Sequence, residues 1–308
     1  MYYRYPMNSL SRRKLLIDTG WLGAATMVSS WLPRRVSSNP LGRPIGIQLY
    51  AVNSAMQENP AGTLKSLREI GFREVETAGF GKLSAKEFRK LLDDAGLVCP
   101  SAHLQFDSDN LGPTFEDAHA LGLQYVASGG LRSSLRPPFT IAASAMTLDE
   151  AKRTAALANR IGEKARQSGL QYAYHNHNME FVDQGGAIGY DILLRETDPE
   201  LVKFEIDCGW MVLGGRNPID YFRNYPNRIP MIHVKDFLAP RGKGAASDNA
   251  PEHPGAELGH GIIDYKPILA AAERAGLQHY FAEQEGPFVR MSQLQAARQA
   301  YDYLHSIK

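Results

Sequence analysis

Residues 147–181 read TLDEAKRTAALANRIGEKARQSGLQYAYHNHNMEF, which contains a predicted helix followed directly by a predicted strand. Thr147 and Glu150 form the pattern of a capping box, so we predict a helix from here to about residue 169. The following run QYAYHNH has the aromatic content and the length of a buried strand. Residues two positions apart on a strand point to the same side. His175 and His177 are therefore expected to face either one binding site or the core.

The same pairing of strand and helix recurs on both sides of this stretch. The strand-like runs are PIGIQLYAV (44–52), REVETAGF (73–80), VCPSAHLQF (98–106), LQYVASGGL (123–131), QYAYHNH (171–177), VKFEIDCGW (202–210), RIPMIHVKDF (228–237) and HYFAEQEG (279–286). Helix-like runs follow them near residues 60–70, 85–95, 113–121, 147–169, 189–196, 218–223, 265–275 and 290–305. Ser84 and Gly96 mark the predicted start and end of the second helix.

Repeated strand-then-helix units imply parallel strands joined by right-handed crossovers. Eight such units predict an α/β fold of the closed (β/α)8 TIM barrel type. A doubly wound open sheet is the alternative, but no G-x-G-x-x-G follows the first strand. No linker interrupts the repeats, so we predict a single barrel domain over residues 41–308.

Composition narrows the classes of partner. The chain has 308 residues, and its hydrophobic content of 44% is enough for the core of one large domain. Its 34 basic and 33 acidic residues give a net charge of +1. No basic surface is therefore predicted to bind a nucleic-acid backbone. The two cysteines, Cys99 and Cys208, allow at most one disulfide.

The N-terminal residues 1–40 differ from the rest and are predicted to lie outside the fold. They contain SRRKLLIDTGWLGAATMVSSWL, in which Arg12 and Arg13 precede a mildly apolar run. This pattern resembles a twin-arginine (Tat) export signal. Asp18 and Gly20 make the run too polar for a stable membrane span. We expect export to the periplasm or the medium through the Tat machinery; the alternative is a disordered arm or a weak membrane anchor.

Polar residues gather where the predicted strands end, and in a TIM barrel these ends meet at one mouth. They are Glu76, His103, His175, His177, Asp207, His233, Lys235, Asp236, Glu283 and Glu285. Each one alone has an ordinary structural explanation, such as a hydrogen-bonded histidine or a helix cap. Together they would bury many ionisable groups, which is costly unless a cation or a substrate compensates. This mixture of nitrogen and oxygen ligands suits Zn²⁺, Mn²⁺, Co²⁺ or Fe²⁺.

The motifs VETAGF, SAHLQF, YHNHNMEF, FEIDCGWM, IHVKDF, ELGHGIIDY and AEQEGP, in this order, resemble the xylose isomerase-like barrels. That family includes sugar phosphate isomerases/epimerases, inosose dehydratases and ketose 3-epimerases. The resemblance implies one divalent metal ion held by His175, Asp207, His233 and Glu283, with His177 as the alternative to His175. We expect proton transfer by Glu283, His177, Lys235 or Glu285, because these side chains would lie beside the metal ion. The expected substrate contacts are Glu76, His103, Trp210, Glu285 and His260.

One position departs from the family pattern. The family's epimerases carry a glutamate where this chain has His175, which puts a two-glutamate epimerisation in doubt. The expected function is a metal-dependent sugar isomerase or epimerase that acts on a sugar or keto-sugar through a metal-stabilised enediolate. The alternatives are a lyase or dehydratase of a keto-sugar, keto-glycoside or inosose, and a non-catalytic exported sugar-binding protein. A DNA-repair endonuclease is disfavoured by the charge and the export signal. The oligomeric state stays open between monomer and homodimer.

Overall fold

The protein is described by a computed structural model that covers residues 41–106, 110–129, 131, 145–239, 254–286, 288 and 291–307. The segment predicted to direct export, with Arg12 and Arg13, lies outside the described residues.

Eight parallel strands close into a barrel, which confirms the predicted (β/α)8 fold. They are β1 (Gly46–Gln48), β2 (Glu74–Thr77), β3 (Val98–His103), β4 (Tyr125–Ser128), β5 (Gln171–His175), β6 (Val202–Asp207), β7 (Met231–Val234) and β10 (His279–Ala282). Each strand pairs with its neighbours along the chain, and β10 pairs with β1 to close the circle. Two short strands, β8 (Asp236–Phe237) and β9 (Gly255–Ala256), form an antiparallel pair after β7.

Helices follow the strands as the sequence predicts. They are α1 (Asn53–Glu58), α2 (Pro60–Ile70), α3 (Ala85–Ala95), α4 (Gly112–Leu121), α5 (Leu148–Gln167), α6 (Gly189–Glu196), α7 (Cys208–Leu213), α8 (Pro218–Asn224), α9 (Tyr265–Arg274) and α10 (Gln293–Ser306). Capping boxes begin α3 at Ser84 and α5 at Thr147, as expected. Within the described ranges, no helix is both long enough and apolar enough to cross a lipid bilayer.

Two strands are shorter than predicted because their last residues begin helical turns. Gln48 ends β1, and its side chain accepts a hydrogen bond from the backbone N–H of Tyr50 in a short 3-10 helix. Asp207 ends β6, and its Oδ1 accepts from the N–H of Trp210 at 2.8 Å, which caps α7. The backbone therefore turns away directly after these side chains and leaves both of them at the end of the strand.

The barrel interior changes from apolar to polar toward the carboxyl ends of the strands. Tyr125, Ala127, Ala173, Met231 and Phe281 form a buried apolar cluster from four strands. The Phe281 ring lies edge-on to the His233 ring at 6.2 Å, so the polar groups begin directly against this cluster. The permitted disulfide is not formed, because both cysteines are free and buried.

Helix α5 packs so closely on the chain before β6 that Gly162 has no room for a side chain. A Cβ atom at this position would lie 2.5 Å from the backbone oxygen of Leu201. We expect Gly162→Ala to lower the free energy of unfolding by about 1–3 kcal/mol, as overpacking does. Alanine's higher helix propensity, about 1 kcal/mol, offsets only part of that cost.

Urea unfolding of the wild type and the variant measures this difference. Arg160→Ala on the exposed side of the same helix is the matched control and should stay within about 0.5 kcal/mol of the wild type. A Gly162→Ala protein more stable than the wild type would show that α5 can shift away from Leu201.

Candidate metal centre and active site

Three side chains at the carboxyl ends of neighbouring strands form a compact group, here called the outer trio: Asp207, His233 and Glu283. Each offers one ligand atom, and these atoms lie within 4.8 Å of one another. The strand register produces this meeting, because Asp207 pairs with His233 across β6 and β7 and the N–H of Glu283 bonds to the oxygen of Val234. His233 Nδ1 lies 2.8 Å from Glu283 Oε2. All three are buried, and one ion could reach them all.

Lys235 supplies a buried positive charge beside the outer trio. Its Nζ lies 3.0 Å from Asp207 Oδ2, 2.9 Å from Glu283 Oε2 and 2.6 Å from Glu285 Oε1. Burial alone would lower the pKa of Lys235, but these carboxylates raise it above its ordinary value. Burial alone would likewise raise the pKa of Glu283, but Lys235 and His233 hold it well below its usual range. Lys235 and Glu283 are therefore both charged at neutral pH.

Glu76 and Glu205 lie on the side of the His233 ring that faces away from Glu283. We call these two residues the inner carboxylates. Both are fully buried. Glu76 Oε2 lies 2.7 Å from His233 Nε2 and accepts a hydrogen bond from Gln48 Nε2 at 2.8 Å. Glu205 Oε2 lies 2.7 Å from His103 Nε2, and its Oε1 lies 3.5 Å from His233 Nε2. The imidazole of His233 is thus held between Glu283 on one side and the inner carboxylates on the other.

Burial and the inner carboxylates set the charge of the surrounding groups. Burial, and then the neighbouring Glu205, raise the pKa of Glu76. Burial alone would raise the pKa of Glu205 too, but His233 and hydrogen bonds from the imidazoles hold it well below its usual range. Burial and the neighbouring His233 hold the pKa of His175 well below its ordinary value. His175 is therefore neutral at neutral pH, which is the form of imidazole that binds a metal ion.

The structure places His175 next to the outer trio rather than within it. Its ring centroid lies 4.4 Å from that of His233. One of its ring nitrogens groups with ligand atoms of His103, Glu205 and His233, and its Nδ1 lies 3.4 Å from Glu205 Oε2. The predicted fourth ligand is thus a neighbour of His233 and lies beside an inner carboxylate, Glu205.

His177 and Trp210 lie at the opening of the barrel. His177 comes after the end of β5, so it is not on the strand as the sequence suggested, yet its ring lies 5.3 Å from that of His175. Glu180 Oε2 accepts a hydrogen bond from the His177 N–H at 3.1 Å and fixes this turn. The ring centroid of Trp210 lies 6.2 Å from that of His177 and 4.8 Å from that of Phe237, on which it packs. Both side chains are half-buried and can reach a molecule in the opening.

Two residues predicted to contact substrate lie elsewhere. Glu76 is completely buried behind His233, because β2 carries it below the opening. His260 is exposed, and its Nδ1 lies 2.9 Å from Gln299 Nε2 on α10. Of the other three predicted contacts, Trp210 lies at the opening, and His103 and Glu285 keep part of their side chains accessible.

Asp236 holds the loop that contains His260. Its carboxylate accepts hydrogen bonds from the backbone N–H groups of Phe237, Gly259, Gly261 and Ile263 at 2.9–3.2 Å. A Cβ at position 261 would lie 2.1 Å from Asp236 Oδ1, so only glycine fits there. Asp236 is therefore a polar residue at a strand end whose role is structural.

Sequence reasoning missed Glu205, although the strand pattern contained a signal for it. In FEID, Glu205 lies two residues before Asp207 and so points to the same side of β6. An acidic residue in the middle of a buried strand is rare without a partner. That combination could have identified it as part of the site.

Comparisons with known proteins agree with this architecture. An inosose dehydratase of Lacticaseibacillus casei is 32% identical over 165 residues, which cover 51% of this chain and 55% of that protein. The chain thus spans about half the length of the curated relatives that it matches. A sugar phosphate isomerase/epimerase from Parabacteroides distasonis superimposes with a TM-score of 0.68 at 26% identity, covering 86% of this chain and 100% of that one.

A xylose isomerase-like TIM barrel protein from Mycobacterium smegmatis, solved in complex with magnesium, has the same fold. It superimposes with a TM-score of 0.58 at 19% identity, covering 86% of this chain and 96% of that one. The sequence profile of the xylose isomerase-like TIM barrel family matches residues 64–307, nearly the whole barrel. The chain therefore belongs to the xylose isomerase-like TIM barrel family.

Proposed function

We propose that this chain is a divalent-metal-dependent isomerase or epimerase that acts on a sugar or keto-sugar. The observation that carries the proposal is the meeting of Asp207, His233 and Glu283 beside a buried Lys235 at the barrel opening. In a TIM barrel this end holds the active site. The similarity to a sugar phosphate isomerase/epimerase at 26% identity supports the same reaction class.

The residues of the site fit a divalent cation. Asp207, Glu283 and Glu285 surround the buried ammonium group of Lys235. The fully buried Glu76 and Glu205 add two carboxylates on the other side of His233. Such an excess of buried negative charge is costly unless a cation balances it. The outer trio would hold the ion, with His175 as the fourth ligand. Two imidazole nitrogens and two carboxylate oxygens are a ligand set that favours Mn²⁺, Co²⁺, Zn²⁺ or Fe²⁺.

The chain's own side chains supply the remaining chemistry. A divalent ion bound there provides a Lewis acid for negative charge that develops on a substrate oxygen. Lys235 is a charged donor that can hydrogen-bond the same developing charge. His177 lies outside the proposed ligands and can accept the proton from the carbon next to the carbonyl. Glu283 is the second candidate base, but a carboxylate that ligates a metal ion is a weakened one.

A lyase is the second candidate, and one position favours it. His175 stands where the family's epimerases have a glutamate, so a second carboxylate base is missing from that strand. The relatives at 32% identity are inosose dehydratases. Proton removal by the same base, followed by loss of a β-hydroxyl as water, would give a dehydrated product.

Hydrogen exchange in D₂O tests the proposal and separates the two candidates. Metal-loaded protein is mixed with a panel of keto-sugars and inososes and followed by proton NMR. We expect deuterium at the carbon next to the carbonyl, with either an isomeric sugar or a dehydrated product. His177→Gln should keep its metal and slow the exchange by about 10²–10⁴-fold.

His305→Gln at the C-terminal end of α10 is the matched control, and it should exchange at the wild-type rate. Sugars that bind without any exchange, even to metal-loaded protein, would make the chain a sugar-binding protein.

The same proposal places the enzyme outside the cytoplasm, supported by Arg12 and Arg13 in the N-terminal segment. The sequence has no glycine-rich loop with a basic residue that would mark a phosphate site. Both points favour unphosphorylated sugars or glycosides as substrates.

A further inference from the structure

We propose that the inner carboxylates, Glu76 and Glu205, are positioning residues that hold His233 and His175 in the tautomers needed to bind the metal ion. This inference rests on the proposed function, because it concerns the ligands of the same ion. It assigns a role to two fully buried acids that need not touch the substrate.

The two nitrogens of His233 face opposite partners. Nδ1 lies 2.8 Å from Glu283 Oε2 in the outer trio, and Nε2 lies 2.7 Å from Glu76 Oε2. A neutral imidazole carries one proton, and the nitrogen that binds a metal must be the other one. With Glu76 accepting a hydrogen bond from Nε2–H, the lone pair of Nδ1 is free for an ion among the outer trio. This is the carboxylate–histidine–metal arrangement.

His175 repeats the arrangement with Glu205. Its Nδ1 lies 3.4 Å from Glu205 Oε2 and, although buried, has no hydrogen-bond partner among the described residues. A shift of a few tenths of an ångström would make Nδ1–H a donor to this carboxylate and leave Nε2 as the ligand. Glu205 is well anchored for this role, because the same oxygen lies 2.7 Å from His103 Nε2.

The close approach of the imidazoles is built into the backbone at Gly129. A Cβ at this position would lie 3.3 Å from both His103 Nδ1 and His175 Cδ2. Without it, the two rings approach to 4.7 Å between centroids and both reach Glu205. A carboxylate also accepts a stronger hydrogen bond than an amide does, so glutamine in place of either inner carboxylate should hold the tautomer less firmly.

Cobalt binding to the full chain tests the inference. The protein is stripped with a chelator, and Co²⁺ is titrated while heat and the visible absorption spectrum are recorded. We expect Glu76→Gln and Glu205→Gln to weaken Co²⁺ binding by about 10–100-fold and to shift the absorption bands. The bands report ligand geometry, so a loss of stability alone would not move them.

Glu74→Gln is the matched control. Glu74 is on the same strand as Glu76, two residues earlier, and it also pairs with an imidazole, His279 Nδ1 at 2.8 Å. That pair lies at the opposite end of the barrel strands. Its loss should leave the Co²⁺ affinity and spectrum unchanged.

Unchanged affinity and spectrum in Glu76→Gln and Glu205→Gln, with metal lost on mutation of Asp207, would overturn the inference and leave the proposed function standing. Two Co²⁺ per wild-type chain, falling to one in Glu205→Gln, would also overturn it, because Glu205 would then be a ligand. No Co²⁺ binding by the wild type would overturn both. If Glu205→Gln does not fold, the Co²⁺ affinity and absorption spectrum of Glu76→Gln still test the inference, because Glu76 contacts the proposed ligand His233.

Discussion

Asp207→Asn is expected to reduce bound divalent metal from about one equivalent per chain to none. Asp207 contributes a buried carboxylate to the outer trio, and an amide is a far weaker ligand for a metal ion. Asparagine keeps the oxygen that caps α7 through the N–H of Trp210, so the fold should survive. Turnover should fall by about 10³-fold, because several kcal/mol of charge stabilisation are lost with the ion.

Elemental analysis after metal loading and gel filtration measures the effect. Asp264→Asn is the matched control, since Asp264 caps α9 in the same way but is exposed outside the site. It should bind metal as the wild type does. Full metal content in Asp207→Asn would place the metal centre elsewhere in the chain.

Lys235→Met is expected to lower the free energy of unfolding of the metal-free protein by about 3–5 kcal/mol, as removal of one partner from a buried ion pair does. The Lys235 side chain is 2% exposed, and its ammonium lies between Asp207 and Glu283. Without it, the two buried carboxylates face each other with no cation between them. The contact with Glu285 adds less, because that side chain is 39% exposed.

A saturating divalent ion should restore part of this loss, because binding to the folded state alone stabilises it. The measurement is the melting temperature of wild type and Lys235→Met, with a chelator and with Mn²⁺. We expect the Mn²⁺-induced rise to be larger in the variant. Lys203→Met is the matched control, since its Nζ donates to the backbone oxygen of Pro199. Equal melting temperatures of wild type and Lys235→Met in chelator would refute the charge argument.

Much of the barrel follows from local chemistry. The capping boxes at Ser84 and Thr147 and the helix C-cap at Gly96 act within a few residues, so their effect is readable in the sequence. Eight alternating units then leave few topologies, since parallel strands with right-handed crossovers close most simply into a barrel. The limits of the predicted helices near 60–70 and 189–196 match those of α2 and α6.

The meeting of the outer trio also follows from the sequence. The carboxyl ends of parallel strands share one end of a barrel, so residues that end neighbouring strands must come together. Among the polar residues at the strand ends, the resemblance to the family selected Asp207, His233 and Glu283, with His175 as the fourth ligand. The structure brings the first three within reach of one ion. Which ion they bind, and for which reaction, stays a prediction.

Depth along the barrel axis was decided by the tertiary structure alone. Alternation tells which side of a strand a residue faces, but the stagger between strands sets how far from the opening it lies. Glu76 was predicted at the pocket wall and instead lies fully buried behind His233, where β2 places it. Glu205 points to the same side of β6 as Asp207. Because it lies two residues further from the carboxyl end of the strand, it contacts the imidazoles of the barrel interior.

Loop direction was likewise beyond the sequence. His260 lies in a turn, where no regular side-chain periodicity predicts the direction of a residue. Asp236 fixes this turn by hydrogen bonds, and the His260 imidazole then lies against Gln299. The sequence by itself therefore determined the barrel and its strand order, because these depend on periodicity and local caps, whereas the choice of the outer trio came from the resemblance to the family. The tertiary structure decided which polar residues are buried and which face the opening, because strand stagger and loop hydrogen bonds join residues far apart in the chain.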